Sequence, residues 1–577
     1  MTRQPGSGLA TAVTVPAVAL VRRRRKADTD VAVPLRSGRG SGPGTPGIMI
    51  DQLHHFVDRH ATESPAAPAL LHRDTVLDYA ALAAACRAFA GGALAAGLGS
   101  GERVAVYLPK QPEAVVGLFG TSTAGGTFVP VNPALKPAQV AYVLAHCDVR
   151  MLVTAAPRWQ TLRPAVAACP ALHRVVLVDG VSDDENDPRV IPWDVFLEAP
   201  PAAPHRRIDS DMAAILYTSG STGKPKGVVL SHRNLIAGAE SVSSYLGNDN
   251  GDRLLAVLPL SFDAGLSQLT TAFCTGASVA LMDYLLPRDV LRALVRYQST
   301  GLAAVPPLWN QLVRLDWPAE IAATLRYVTN TGGAMPVATT RALRRLLPGT
   351  AIYLMYGLTE AFRSTYLPPE EVDARPESIG RAIPNAEILV VNEAGEPCAP
   401  GEPGELVHRG ALVALGYWND PEKTAERFRP CPGRDPALPL RELAVWSGDQ
   451  VVSDEQGYLY FVSRKDEMIK TSGYRVSPSE VEEVAYDSGL VAGVAALGLP
   501  HPMLGQGILL VVTAAPDTLA GELEAALMAR YRQELPNFMQ PTAIVVRGAL
   551  PHNQNGKIDR RALAAAYATV FDEEQTP

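Results

Sequence analysis

Two apolar runs, residues 212–216 and 228–230, enclose Tyr217-Thr-Ser-Gly-Ser-Thr-Gly-Lys-Pro-Lys-Gly227. Four Ser/Thr hydroxyls, three glycines and two lysines fall within residues 218–227. Glycine lets the backbone come close to a ligand and turn its N–H groups inward. Hydroxyls donate further hydrogen bonds, and lysine adds charge. This is the composition of a loop that wraps a polyphosphate. The order G-x-x-x-x-G-K-[ST] cannot be laid on these residues in any register, so the loop holds a nucleotide in a different way. The plain alternative is a linker of small residues. A linker has no use for Lys226 and does not sit between two strand-like runs.

A chain of 577 residues exceeds one ordinary core, so at least two domains are expected. With 47% apolar and 19% charged residues it has a globular composition. A net charge of −7 argues against a protein that neutralises many nucleic-acid phosphates, so no nucleic-acid partner is expected. The six cysteines stand far apart and form no C-x-x-C pair. Neither a zinc knuckle nor a disulfide framework follows from them. Free thiols in a reducing compartment are the simplest account, and the cytoplasm is expected. No H-E-x-x-H occurs, and the adjacent pair His54-His55 fits the polar face of an early helix better than a metal site. No apolar run is long enough to span a bilayer.

Residues 1–48 read as a disordered leader. Arg22-Arg-Arg-Arg-Lys26 follows the mildly apolar stretch 9–21, the reverse of a secretory signal. Residues 37–47 are mostly Ser, Gly, Pro and Arg. Met49 directly precedes the first patterned segment, so a start there would leave the leader untranslated. From Leu53 the pattern is regular. Residues 77–94 have helical spacing, and strand-like runs recur at 103–108, 150–154, 174–178, 254–259, 278–282 and 351–355. Helical segments such as 287–299 and 338–347 lie between them. This alternation predicts an α/β fold of mostly parallel sheets covered by helices, with ligand sites at the carboxyl ends of strands. After about residue 400, short antiparallel strands and turns suggest a small β subdomain. The last hundred residues alternate as a small α+β unit. The expected division is 49–464 for a large N-terminal domain, 465–570 for a small mobile C-terminal lid, and 571–577 for a tail.

Further segments follow the loop in order: Tyr356-Gly-Leu-Thr-Glu360, Ser447-Gly-Asp449, Arg464-Lys-Asp466, Gly473-Tyr-Arg475 and Asn555-Gly-Lys557. Together they resemble the adenylate-forming superfamily of acyl-CoA synthetases, peptide-synthetase adenylation domains and firefly luciferases. The resemblance covers roughly residues 50–565. Ser447 departs from it conservatively, since the family usually has Thr there.

The resemblance implies the roles. Thr218, Ser219, Gly220, Ser221, Thr222 and Gly223, with Lys226, would hold the β- and γ-phosphates of ATP. Tyr356, beside Gly357, would stack on adenine. Thr359 would contact the α-phosphate, and Glu360 would help hold Mg²⁺. Asp449 and Arg464 would take the ribose. Asp466 would be the interdomain hinge. Gly473, with Arg475 beside it, would line a tunnel for a pantetheine thiol. Lys557 would lie between the carboxylate and the α-phosphate. Taken one at a time, each has a plain reading: a core aromatic for Tyr356, a helix-start acid for Glu360, turn residues for Asp449 and Lys557. Their order as a set favours the functional one.

The implied activity is an AMP-forming ligase working in two halves. A carboxylate attacks the α-phosphorus of ATP, and a thiol then takes the acyl group from the adenylate. The acceptor would be coenzyme A or the phosphopantetheine of a separate carrier protein. An aryl- or fatty-acyl-CoA synthetase, adenylation with a non-thiol acceptor, and luciferase-like oxidation share the same residues. Leu260-Ser-Phe-Asp-Ala-Gly265 resembles the segment of amino-acid-activating members whose Asp receives the α-ammonium group. Asp263 would then need a cationic guest, because a buried carboxylate is costly unless paired. Its alternative is a cap on a helix starting near Gly265. Thr331-Gly332-Gly333-Ala334 would form one low wall of the acid pocket.

Overall fold

The computed structural model describes residues 49–181, 185–218, 224–333, 335, 337–435, 437–464, 468–515, 518–551 and 558–572. Three sheets organise them. The first has eight strands, of which Met212–Thr218, Thr127–Pro130, Arg103–Tyr107, Val149–Thr154, Arg174–Leu177 and Val190–Pro192 run parallel in that spatial order. The second has fourteen strands. Its parallel centre is Ala351–Tyr356, Tyr327–Asn330, Gly301–Ala304, Arg253–Ala256 and Ser278–Leu281. Antiparallel strands drawn from residues 365–464 extend one side of it. The third has five strands, Ile469–Thr471, Tyr474–Val476, Val491–His501, Gly505–Ala514 and Ala543–Val546. The strand ending at Arg464 thus belongs to one sheet and the next described strand, from Ile469, to another. The fold is α/β, as the alternation of strands and helices predicts.

The parallel strands are buried on both faces and are near-continuous apolar runs, as helices covering each side demand. Phe119, Phe273 and Phe89 are fully buried between the helices Tyr79–Ala95, Pro112–Ala124 and Asp263–Thr275. Leu77 is not in a helix, although the spacing extends to it. Thr75–Asp78 pairs with Pro68–His72 as a strand, and the Asp78 carboxylate accepts the Ala81 N–H and so starts the helix at Tyr79. His54 also departs from expectation. It is 8% exposed, packed with its ring nitrogen 3.0 Å from Ser122 Oγ, and burial depresses its pKa. A neutral imidazole inside the core replaces the polar surface residue that the sequence suggests. Among the described residues no helix is long and apolar enough to cross a membrane.

Candidate active site

The Ser/Thr/Gly loop closes a hairpin. Thr218 pairs with Lys226 and Tyr217 with Gly227, antiparallel. A phosphate loop of the excluded type leads into a helix. Here the chain returns as the strand Lys226–Ser231. Ser219, Gly220, Ser221, Thr222 and Gly223 lie outside the described residues. Lys226 is placed: its Nζ is 5.1 Å from the centre of the Tyr417 ring. Burial lowers its pKa, neighbouring Lys423 lowers it further, and Glu360 opposes both.

Tyr417 reaches this point on the two-residue strand Gly416–Tyr417, which pairs with Val228 and Val229. Its phenol donates to Glu360 Oε1 at 2.6 Å. Glu360 is 7% exposed, and its other oxygen, Oε2, has no partner among the described residues. A buried, orphaned carboxylate oxygen fits a hard cation such as Mg²⁺. No group of three His, Cys, Asp or Glu residues surrounds it among the described residues.

Tyr356 ends the strand Ala351–Tyr356 at a carboxyl edge, where an α/β sheet presents its ligands. Its phenol donates to Asp449 Oδ2 at 2.5 Å. Asp449 is 1% exposed. Gly448, at φ +71°, turns the chain there, and its N–H is held by Glu405 Oε1 while the Asp449 N–H is held by Ser447 Oγ. The Ser at 447 thus supplies the hydroxyl that shapes this turn. Arg464 stands opposite Asp449 in the strand register. Tyr356, Asp449 and the Arg464 backbone therefore converge, as the motif order implies.

The acid side is built on the adjoining strand ends. Asp263 is the first residue of the helix Asp263–Thr275 and is 4% exposed. It does not cap a helix starting at Gly265. Instead it accepts the N–H of its neighbour Ala264 and the Thr359 hydroxyl, the latter at 3.3 Å. Gly265 has no room for a side chain, since a Cβ would lie 1.8 Å from the Pro259 carbonyl oxygen. Burial raises the Asp263 pKa, and the nearby Arg363 guanidinium opposes the rise. Asp263 thus has an internal cation in addition to any guest.

No sequence motif singles out Arg363. It is 4% exposed and follows Phe362, a bulky residue at φ +56°. Such a backbone costs about 1–3 kcal/mol and persists only where packing imposes it. Gly238 leaves room for the ring: a Cβ there would lie 2.6 Å from it. The turn at Phe362 sends Arg363 to the pocket side, where its Nη1 donates to Thr331 Oγ1 at 3.3 Å.

A second hairpin comes over the site from the five-stranded sheet. At its tip Gly473 has φ +81°, and a Cβ on it would be 2.6 Å from Val305 Cγ1. Its carbonyl is 3.5 Å from where a Gly332 Cβ would be, an ordinary contact distance, and Gly332 is itself at φ +79°. Gly333 needs less room, the nearest atom to its Cβ position being Pro306 Cγ at 3.3 Å. Tyr474 stacks on Phe538 at 3.8 Å. Gln139 bridges to Glu480 and Met539 of the small unit. Between them lies a cavity of about 130 Å³ lined by Thr218, Asp263, Thr359, Tyr474, Arg475 and Phe538. Ala334, Asp466 and Lys557 lie outside the described residues. Tyr417 and Arg363 belong to none of the recognised motifs and leave only a weak trace in the sequence: Arg363 follows one such segment closely, and Tyr417 does not.

The profile of AMP-binding enzymes matches residues 57–418, and that of their C-terminal domain matches residues 480–557. The chain is 31% identical over 531 residues to L-proline--[L-prolyl-carrier protein] ligase of Streptomyces coelicolor, covering 87% of this chain and 94% of that one. It is 30% identical over 520 residues to a linear gramicidin synthase polypeptide of Brevibacillus parabrevis, covering 89% of this chain. It spans only 6% of that relative's length, and 10% of the length of a second linear gramicidin synthase polypeptide of the same organism. Among solved structures, the amide bond synthetase McbA from Marinactinospora thermotolerans superposes with a TM-score of 0.77 at 23% identity, covering 89% and 99% of the two chains, a likeness of fold. The chain belongs to the adenylate-forming family of AMP-binding enzymes, the AMP-forming ligases.

Proposed function

We propose that this ligase activates an amino acid with ATP as its acyl-adenylate. It then passes the acyl group to a phosphopantetheine thiol, on coenzyme A or on a separate carrier protein. One observation carries the reading: two successive residues face the two halves of the site. Thr359 bonds Asp263 on the acid side, and Glu360 stands with Tyr417 and Lys226 on the phosphate side. A carboxylate held beside Asp263 is thereby brought within a residue's length of the phosphates, which is the positioning an in-line attack needs.

Each group has a task in this reading. Lys226 and residues 218–223 hold the β- and γ-phosphates. The Tyr356 ring lies against adenine, and Asp449 accepts the ribose hydroxyls. Asp263 accepts the ammonium group of the acid, and Thr359 donates to the α-phosphate. Lys557 offsets charge between the two reacting anions. Glu360 would hold Mg²⁺, which would supply positive charge against the phosphates. Asp466 is the hinge between domains 49–464 and 465–570. Gly473 keeps open the approach of the thiol, with Arg475 at its side. The reading supposes the cytoplasm, where ATP and reduced thiols are present.

The test is pyrophosphate exchange over amino, aryl and fatty acids with magnesium. Exchange with amino acids, weaker with their deamino analogues, supports the reading. Exchange confined to fatty or aryl acids removes the amino-acid part. No exchange with any acid removes the whole. Acceptors are then compared by adding coenzyme A, a phosphopantetheinylated carrier or an amine to the preformed adenylate.

A further inference from the structure

We infer that the acid is an amino acid whose short side chain ends in a carboxylate, and that Arg363 receives that carboxylate. The inference rests on the amino-acid reading above and adds the far end of the guest. Three observations carry it. First, the Arg363 guanidinium is nearly fully buried, and its Nε–H has no acceptor among the described residues. A buried guanidinium with idle donors carries a desolvation penalty that an acceptor would relieve. Second, Arg363 lines a cavity beyond Ala264, the residue that follows Asp263. The other walls are mostly apolar, with Ser267, Gln268, Thr271 and Thr329 among them. Third, the cavity holds about 30 Å³, room for roughly two waters, and a carboxylate's two oxygens fill the same space.

Charge balance narrows the choice. Burial raises the Asp263 pKa and the Arg363 guanidinium opposes the rise, so the two groups act on each other's charge. Beyond the reacting carboxylate, a guest that keeps this balance is either uncharged or carries one cation and one anion. An apolar amino acid brings only its ammonium and would leave one net positive charge buried, which is strongly unfavourable. A plain aliphatic acid leaves the Arg363 Nε–H idle. An amino acid with an acidic side chain gives its ammonium to Asp263 and its carboxylate to Arg363. A planar guanidinium also matches a carboxylate bidentately.

The experiment is pyrophosphate exchange by the full chain with magnesium-ATP. The panel holds aspartate, glutamate and 2-aminoadipate, the amides of the first two, alanine, leucine, proline and the deamino dicarboxylic acids. One acidic amino acid is expected to exceed its amide, and every apolar amino acid, by about a hundredfold or more in kcat/KM, because the mismatched guest leaves a buried donor or charge unpaired. Arg363→Met should narrow that gap, chiefly by raising KM for the acidic substrate. Arg363→Lys should keep part of it. If either variant fails to fold, the wild-type panel decides alone. The same acidic amino acid should raise Tm, and an apolar one should not. An apolar or amide amino acid, or an acid without ammonium, turned over as well as the best acidic amino acid overturns the inference while leaving the ligase reading intact. No exchange with any acid defeats the ligase reading instead.

Discussion

Glu360 and Asp263 are both carboxylates with almost no exposed surface, and they lie on either side of Thr359, yet they are satisfied in different ways. Glu360 accepts one phenol and leaves an oxygen open among the described residues. Asp263 accepts a backbone N–H and the Thr359 hydroxyl and stands within the field of Arg363. The first arrangement asks for an external cation. The second already has its countercharge, so it asks only that the guest leave the sum unchanged. On the proposed reading the Glu360 side would fix the reaction, and the Asp263 side would fix the reactant.

Substitution at the two carboxylates gives the largest expected contrast. Glu360→Gln should lower adenylation by about 10²–10³, the usual loss for removing one charge-stabilising group, and by the same factor for every acid. Asp263→Asn should instead reorder the acids, lowering amino acids relative to their deamino analogues. If Glu360→Gln reorders acids, or Asp263→Asn lowers all of them equally, the division between the halves is wrong. Lys557→Ala sharpens the same division in time. It should cut adenylate formation by a similar ~10²–10³ and spare thiol transfer from preformed acyl-adenylate. Equal loss in both half-reactions refutes its assignment to the first.

Gly473→Val should act in the opposite sense. A Cβ there falls 2.6 Å from Val305, and the residue sits at φ +81°. The small unit then cannot seat its hairpin on Val305 and Gly332. Thiol transfer should fall on the order of tenfold or more, with adenylation changed far less, because gating and chemistry are separate steps. Single-turnover measurement of each half separates them. A loss confined to adenylation overturns the reading of the hairpin as a thiol gate.

How far the sequence reveals each half follows from chain geometry. Tyr356, Thr359 and Glu360 lie in one short segment at the end of the strand Ala351–Tyr356, and Asp449 lies within the strand Leu443–Ser453 beside the bend at Gly448. Their spacing survives in the sequence, and so does the alternation that gives the parallel sheets. The acid pocket gathers residues from the ends of several strands and from Arg363, which lies beyond a recognised motif. Arg363 follows Phe362, which is at positive φ with its ring packed on Gly238. That contact joins residues more than a hundred positions apart, and no local pattern announces it. Tyr417 is hidden for the same reason, since its position depends on pairing with Val228. Leu77 misled through periodicity alone, where an Asp78 cap and a paired strand decide the boundary.

The smallest expected effect is a shift in pH dependence on the phosphate side. Lys226 must be charged to hold phosphate. Burial and Lys423 lower its pKa, and Glu360 partly restores it. As pH rises, Lys226 therefore loses its proton earlier than an ordinary lysine, whose pKa is about 10.4. The alkaline limb of kcat/KM for magnesium-ATP should lie below that value. Lys423→Met removes a repelling cation and should move the limb upward. Glu360→Gln removes the supporting anion and should move what activity remains downward. The acid side has no part in this titration, so Asp263→Asn should leave the limb in place. Opposite displacements by the two phosphate-side variants, with none from the acid side, would show that the halves are electrostatically separate. A limb that moves with Asp263 would show that they are one field.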